Sequence, residues 1–163
     1  MPHEEFHDPL APPDPLRDWY VNTIWGKRVD DDDLLFEVMS LQVFQAGLTW
    51  RMILNKRDGF RSAFDNWSIS TVAGFSPAEV EALRNDPGII RNRLKVRAAI
   101  TNAQAFLSVQ AEFGSFDHYA WRFIDGERIV HHRERLEDIP ATTKESDAFS
   151  KDLKQRGFKF VGS

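Results

Sequence analysis

"DDDDLLFEVMSLQVFQAG", residues 30–47, carries a complete helix in outline. Aspartates crowd its start, where the unpaired N–H groups of a helix favour negative charge, and Gly47 follows its last apolar turn as a C′ residue. The four-aspartate run reads as a solvated, dipole-matched helix start. A cation-binding loop of the EF-hand type needs alternating ligands and a distal glutamate, and neither is present. Beside Leu41, Val43 and Phe44 the sequence places an amide, Gln42, and just beyond the glycine it places an indole, Trp50. An amide in such a run is either a satisfied core group or a reader of a polar ligand.

Outward from this stretch the periodicity stays helical. "TWRMILNKRDGFRSAF" (49–64) spaces Met52, Ile53, Phe60 and Phe64 as a helix does. "SPAEVEAL" (76–83) offers Ser76 as N-cap, Pro77 at N1 and Glu79 at N3, a capping box. Residues 91–114 predict a long helix stopped by Gly114, residues 115–123 a short one capped by Ser115, and residues 142–157 a last one ending at Gly157. "IDGERIVHH" (124–132) permits a brief extended excursion around Asp125–Gly126, but a single such segment makes no sheet. The expected fold is all-α with about six helices: one helical domain over residues 17–163 behind a proline-rich extended arm, residues 1–16. "GFKFVGS" (157–163) follows the last helix as the turn of a helix-hairpin-helix would, and Phe158, Phe160 and Val161 are expected to be exposed there. With no second helix after it, the chain reads as truncated within that hairpin.

The 163 residues suffice for one core, and 42% hydrophobic with 28% charged residues is ordinary for a soluble protein. No apolar run is long enough for a membrane span, and the first residues lack the pattern of a signal peptide, so a cytoplasmic location is expected. Without cysteine, disulfides and thiolate metal sites are impossible. The net charge of −4 is uneven: residues 1–50 hold ten acids and three bases, the rest fifteen acids and eighteen bases. A basic face in the later part is therefore compatible with the acidic total.

Candidates for such a face are Arg91, Arg93, Lys95 and Arg97 at the start of the long helix, with Lys151, Lys154, Arg156 and Lys159 near the hairpin. Lysines beside hairpin backbone amides suit phosphate oxygens without reading sequence. Most of the thirteen phenylalanines and five tryptophans must be core. Tyr20, Trp25 and Trp50 lie near loops or helix ends; with Gln42 they form either a slot for a planar ring or ordinary core. His131 and His132 are adjacent, and His3, His7 and His118 are isolated, so no metal-ligand spacing or nucleophilic triad emerges.

"DPLRDWYVNTIWG", "QAGLTW", "DPGIIRNRLKVRAAITNAQAF" and "SDAFSKDLKQRGFKFVGS" together resemble the bacterial 3-methyladenine DNA glycosylase I family, from about Asp14 to the last residue. The resemblance implies a helix-hairpin-helix DNA glycosylase fold and cleavage of the N-glycosidic bond of N3-methyladenine in alkylated double-stranded DNA, with free 3-methyladenine as product. It implies a monomer and no redox cofactor. By the same resemblance, Tyr20, Trp25 and Trp50 line the base pocket, Gln42 takes the place of a pocket glutamate as base-binding and catalytic residue, and Lys159, Phe160 and Gly162 belong to the DNA-binding hairpin. Three departures stand out. The glutamate has become Gln42, which leaves a non-catalytic, modified-base or DNA-binding descendant as the alternative. A pocket tyrosine of the family is Arg17 here. Two of the family's structural zinc ligands fall at Asp8 and Val21 and the other two beyond Ser163, so no zinc is expected.

Overall fold

A computed structural model describes residues 12–163. Among the described residues there are nine α-helices: α1 (Pro15–Thr23), α2 (Asp32–Gln45), α3 (Trp50–Asn55), α4 (Arg57–Ala63), α5 (Ile69–Ala73), α6 (Pro77–Arg84), α7 (Arg93–Phe113), α8 (Phe116–Trp121) and α9 (Lys144–Gln155). Single 3-10 turns occur at Asp65–Trp67, Arg122–Ile124 and Leu136–Asp138, and no strand is present among these residues. None of these helices is long and apolar enough to cross a membrane.

The all-α expectation holds, with more helices than the six expected. Residues 49–64 are two helices because Lys56 leaves helical geometry at φ −99°, ψ 6°. Two further short helices, α1 and α5, escaped notice. The first begins inside the expected arm: Asp14 caps it by accepting from Arg17 N at 3.2 Å, and Pro15 opens it. Residues 1–11 of that arm, with His3, His7 and Asp8, lie outside the described residues. The expected extended excursion near residue 125 is a turn, with Asp125 at φ 53° and Gly126 at φ 78°.

Local caps account for most helix ends. Asp31 accepts from Asp33 N and Leu34 N, the Ser76–Glu79 capping box closes on α6, and Asn92 accepts from Leu94 N and Lys95 N. One aspartate of the run does more than meet the helix dipole. Asp32 accepts from Gln110 Nε2 and Phe116 N, each at 2.8 Å, and from Asp117 N at 3.1 Å, so it joins α2 to the end of α7 and caps α8. Its reading as simply solvated is therefore corrected.

The long helix α7 is the spine. Val96, Ala99, Ala103, Phe106 and Val109 recur at helical spacing and are all buried. The alanines let α5 lie close along it, and Gln104 Nε2 donates to Ala73 O at 3.0 Å at the end of α5. Phe36, Phe44, Phe60, Phe64, Trp67 and Phe106 form a contiguous aromatic core, with Phe64 stacked on Trp67 at 4.5 Å and Phe106 on Phe116 at 4.0 Å. Of the three hairpin residues expected to be exposed, Phe158 is buried against Phe106 and Phe116, Val161 packs on the core edge, and only Phe160 is exposed.

The turn before α7 crosses α4 at closest approach at Gly59. A Cβ there would lie 2.2 Å from Gly88 O. Inside a helix, alanine normally improves on glycine by about 1 kcal/mol. Here the backbone clash wins, so Gly59→Ala should lower stability by roughly 1–3 kcal/mol, the usual cost of overpacking. Urea unfolding of the two proteins checks this; a more stable mutant would contradict the crossing.

Candidate functional site

The last turn of α2 presents two amides on its outward side. Phe36, Glu37, Ser40, Leu41, Val43 and Phe44 of this helix are buried, whereas Gln42 is exposed and Gln45 is partly so. At i and i+3 the two amides share a face. Gln42 is thus not a satisfied core amide, and its reading as core is set aside. Gln45 Nε2 donates to Leu48 O at 2.8 Å and so shapes the loop that follows.

That loop turns at Gly47, whose φ of +78° suits glycine, and ends at Thr49, which caps α3 by accepting from Met52 N. Trp50 thereby begins α3 beside α2. On the other side α1 brings Tyr20, whose ring meets Trp50 edge-on at 5.0 Å. Tyr20 O accepts from both Ile24 N and Trp25 N at 2.9 Å, which folds Trp25 back over the end of α1. Tyr20, Trp25, Gln42, Gln45 and Trp50 together line a pocket of about 260 Å³. All four sequence-predicted base-pocket residues meet there, and Gln45 is the one the sequence reading missed. Its spacing from Gln42 was the available signal.

Partial burial raises the Tyr20 phenol above its ordinary value, and the Gln42 side chain beside it pulls in the opposite direction. The phenol is therefore neutral at physiological pH and keeps its proton to donate. Trp50 Nε1 is buried with no acceptor. Trp25 stands at the rim, 64% exposed. The arrangement offers aromatic surface on two sides and amide donors and acceptors on a third, which suits a flat heterocycle with a polar edge.

A family model described as methyladenine glycosylase matches residues 11–163. The chain belongs to the methyladenine glycosylase family. It is 41% identical over 150 residues to DNA-3-methyladenine glycosylase 1 of Escherichia coli (strain K12), covering 92% of this chain and 80% of that protein. To DNA-3-methyladenine glycosylase of Haemophilus influenzae it is 36% identical, covering 88% and 77%. A crystal structure of 3-methyladenine DNA glycosylase I matches with a TM-score of 0.87 at 39% identity, over 94% of this chain and 85% of that one. A tyrosine-to-phenylalanine variant of such an enzyme in complex with 3-methyladenine matches at 0.86 and 31% identity, over 91% and 80%.

The structural zinc implied by the family resemblance does not fit these residues. Val21 is aliphatic and has no donor atom, and the chain has no cysteine. Among the described residues no three histidine or acidic side chains cluster as metal ligands. Arg17 pairs with Asp18 at 3.1 Å and is not among the residues lining the pocket of Tyr20, Trp25, Gln42, Gln45 and Trp50.

The expected basic face is partly dismantled. Arg91 precedes α7, and Arg93 and Arg97 are exposed on it, but Lys95 is buried and donates to Phe44 O at 2.8 Å and Ala46 O at 2.6 Å. Burial lowers its pKa. Arg156 is held by Glu112 and Asp152, each at 2.7 Å. Lys151, Lys154 and Lys159 remain exposed. The main chain that follows α9 is gripped by a residue that the sequence reading passed over. Fully buried Asn102 accepts from Lys159 N at 2.7 Å and donates to Lys159 O at 3.1 Å, while Ser150 Oγ donates to Val161 O. That commits the Lys159 amide and leaves its side chain free to reach out.

Lys95→Met would keep the aliphatic stem and strand the carbonyls of Phe44 and Ala46. Charged hydrogen bonds of this kind contribute about 1.5–3 kcal/mol, so a loss of roughly 2–3 kcal/mol is expected in thermal or urea unfolding. A neutral substitution would show that the contact does not hold α2.

Proposed function

We propose that this protein is a DNA glycosylase that hydrolyses the N-glycosidic bond of N3-methyladenine in alkylated DNA, as part of base excision repair. The observation that carries the reading is the convergence of Tyr20, Trp25, Gln42 and Trp50 in one pocket of about 260 Å³. The pocket accepts a base only after the nucleotide has swung out of the duplex, and extrusion is easiest where the base is damaged. N3-methyladenine in DNA is cationic and departs neutral, so the bond needs comparatively little chemical assistance. Positioning then supplies most of what the protein contributes. Tyr20 and Trp50, in edge-on contact with each other, form one aromatic wall against the ring, Trp25 closes the rim, and the Gln42 amide meets the polar edge.

Gln42 favours one competing reading, a module that binds modified bases without cleaving. A carboxylate would hold a cation by charge as well as by hydrogen bonds. A charge-assisted hydrogen bond is about twice as strong as a neutral one, so the amide forgoes about 1–2 kcal/mol. That weakens activity without removing the slot.

Base release from methylated duplex DNA, followed chromatographically, tests the proposal. Release of 3-methyladenine is the expected result; retention of the base despite tight DNA binding would select the non-catalytic reading. Through a charge-assisted hydrogen bond from the neutral free base to the carboxylate, Gln42→Glu should bind 3-methyladenine about tenfold more tightly, the factor equivalent to about 1.4 kcal/mol. Equal or weaker binding by the mutant would remove Gln42 from the base-reading role.

For the duplex we assign the hairpin around Lys159, Phe160 and Gly162, with the protein acting as a monomer. Lys159 and Phe160 are exposed, and Phe160 adopts a left-handed φ of 58° that projects the turn. Lys159→Ala should weaken binding to damaged and undamaged duplex alike and reduce the salt slope of log K by about 0.9, one phosphate contact. An unchanged slope would locate the phosphate contacts elsewhere.

A further inference from the structure

The wall of the pocket built by α1 has an unusual attachment. No residue of α1 is buried; only Ile24, just past its end, reaches the core. The helix packs chiefly on α3. Its ion pair, Asp14 with Arg51 at 3.3 Å, involves an arginine that is largely exposed, and such pairs hold little in water. Yet α1 carries Tyr20 and sets the position of Trp25.

Arg57 is the second oddity. It opens α4, where the positive end of a helix disfavours a cation, and no carboxylate pairs with it among the described residues. Its Nε is buried without a hydrogen-bond partner. What lies beneath the guanidinium is the ring of Trp19, 3.9 Å from the centroid. A desolvated N–H without an acceptor offsets part of what the cation–π contact contributes, so the pair is a modest source of global stability. What it does accomplish is orientation. Phe60, fully buried, fixes α4 to the core, and the guanidinium extends that fixed point to Trp19, the neighbour of Tyr20. Because Tyr20 O receives the amides of Ile24 and Trp25, turning α1 about its axis would move both pocket aromatics together.

We propose that Trp19 and Arg57 are positioning residues: a cation–π clamp that sets the orientation of α1 and thereby the Tyr20 and Trp25 wall of the pocket. The clamp belongs to the geometry of this chain, and only its effect on affinity rests on reading the pocket as a base site.

Trp19→Ala, Arg57→Met, the double mutant and Trp19→Phe test it by two measurements. One is affinity for free 3-methyladenine by fluorescence titration; the other is amide hydrogen exchange over residues 15–25 against residues 96–109. Each of the first two substitutions should weaken base binding about tenfold, of the order expected from losing one partly desolvated cation–π contact. Each should speed exchange in residues 15–25 while leaving residues 96–109 unchanged. The double mutant should be no worse than either single mutant, as for residues acting through one contact. Trp19→Phe, which keeps an aromatic face, should restore most of the affinity. Unchanged exchange in residues 15–25, full additivity in the double mutant, or equal loss of protection in residues 96–109 would overturn the clamp. If the unmodified protein binds no 3-methyladenine, the base-site reading falls and the exchange pattern alone decides the clamp.

Discussion

Lys95 Nζ rests against the carbonyls of Phe44 and Ala46, and much of the working geometry follows from that contact. The last turn of α2 holds no basic residue of its own, so the negative end of the helix is met from α7. An ammonium taken from water demands such partners, and the carbonyls at a helix end demand donors; each group resolves the other's deficit. The contact also fixes the direction in which the chain leaves α2. Gln42 and Gln45 lie in the final turns before it, and Gly47 turns the chain toward Trp50 immediately after. The spine helix therefore places the two glutamines and one aromatic wall of the pocket with a single side chain.

The two walls of the pocket differ in how firmly they are built. Gln42 sits on a helix that sinks Phe36, Leu41 and Phe44 into the core, whereas α1 has no buried residue. Regions with few buried contacts open at lower free energy than core helices. A site assembled this way keeps its hydrogen-bonding groups in register while the aromatic rim is held more lightly. For a base that must swing in from a duplex, that division is useful: recognition needs a rigid reader, and entry needs a wall that can yield.

The features legible in the sequence were those decided by neighbouring residues. Asp31, Ser76 and Ser115 cap helices as their positions predict, and Gly114 ends α7 with φ +86°. Those interactions span two or three residues, so a linear reading contains both partners. Lys95 to Phe44, Asn102 to Lys159 and Asp32 to Phe116 span 51, 57 and 84 residues, and nothing local marks those side chains as structural. Lys95 accordingly read as one of a run of surface cations, and Asp32 as one of a run of solvated acids. Helix α1 is hidden by its proline, because Pro15 at N1 looks like part of the arm that precedes it. The meeting of Tyr20, Trp25, Gln42 and Trp50 depends on that helix, which is why local pattern left the slot and core readings open and the family resemblance was needed to choose.

Gln42 shifts the burden of discrimination within the pocket. For the proposed substrate, a carboxylate would separate the cationic base from ordinary adenine mainly by charge. An amide offers hydrogen bonds to both, and it gives up less hydration than a carboxylate when a base covers it. The faces of Tyr20 and Trp50 do not treat the two bases alike. An aromatic quadrupole attracts a cationic ring in a way it does not attract a neutral one, and the attraction grows as water is excluded. On the proposed reading, part of the charge selectivity resides in the aromatic walls and does not depend on a carboxylate. It follows that the placement of those rings matters more in this chain than in one with a glutamate, and Tyr20 is placed by the most lightly anchored helix in the site.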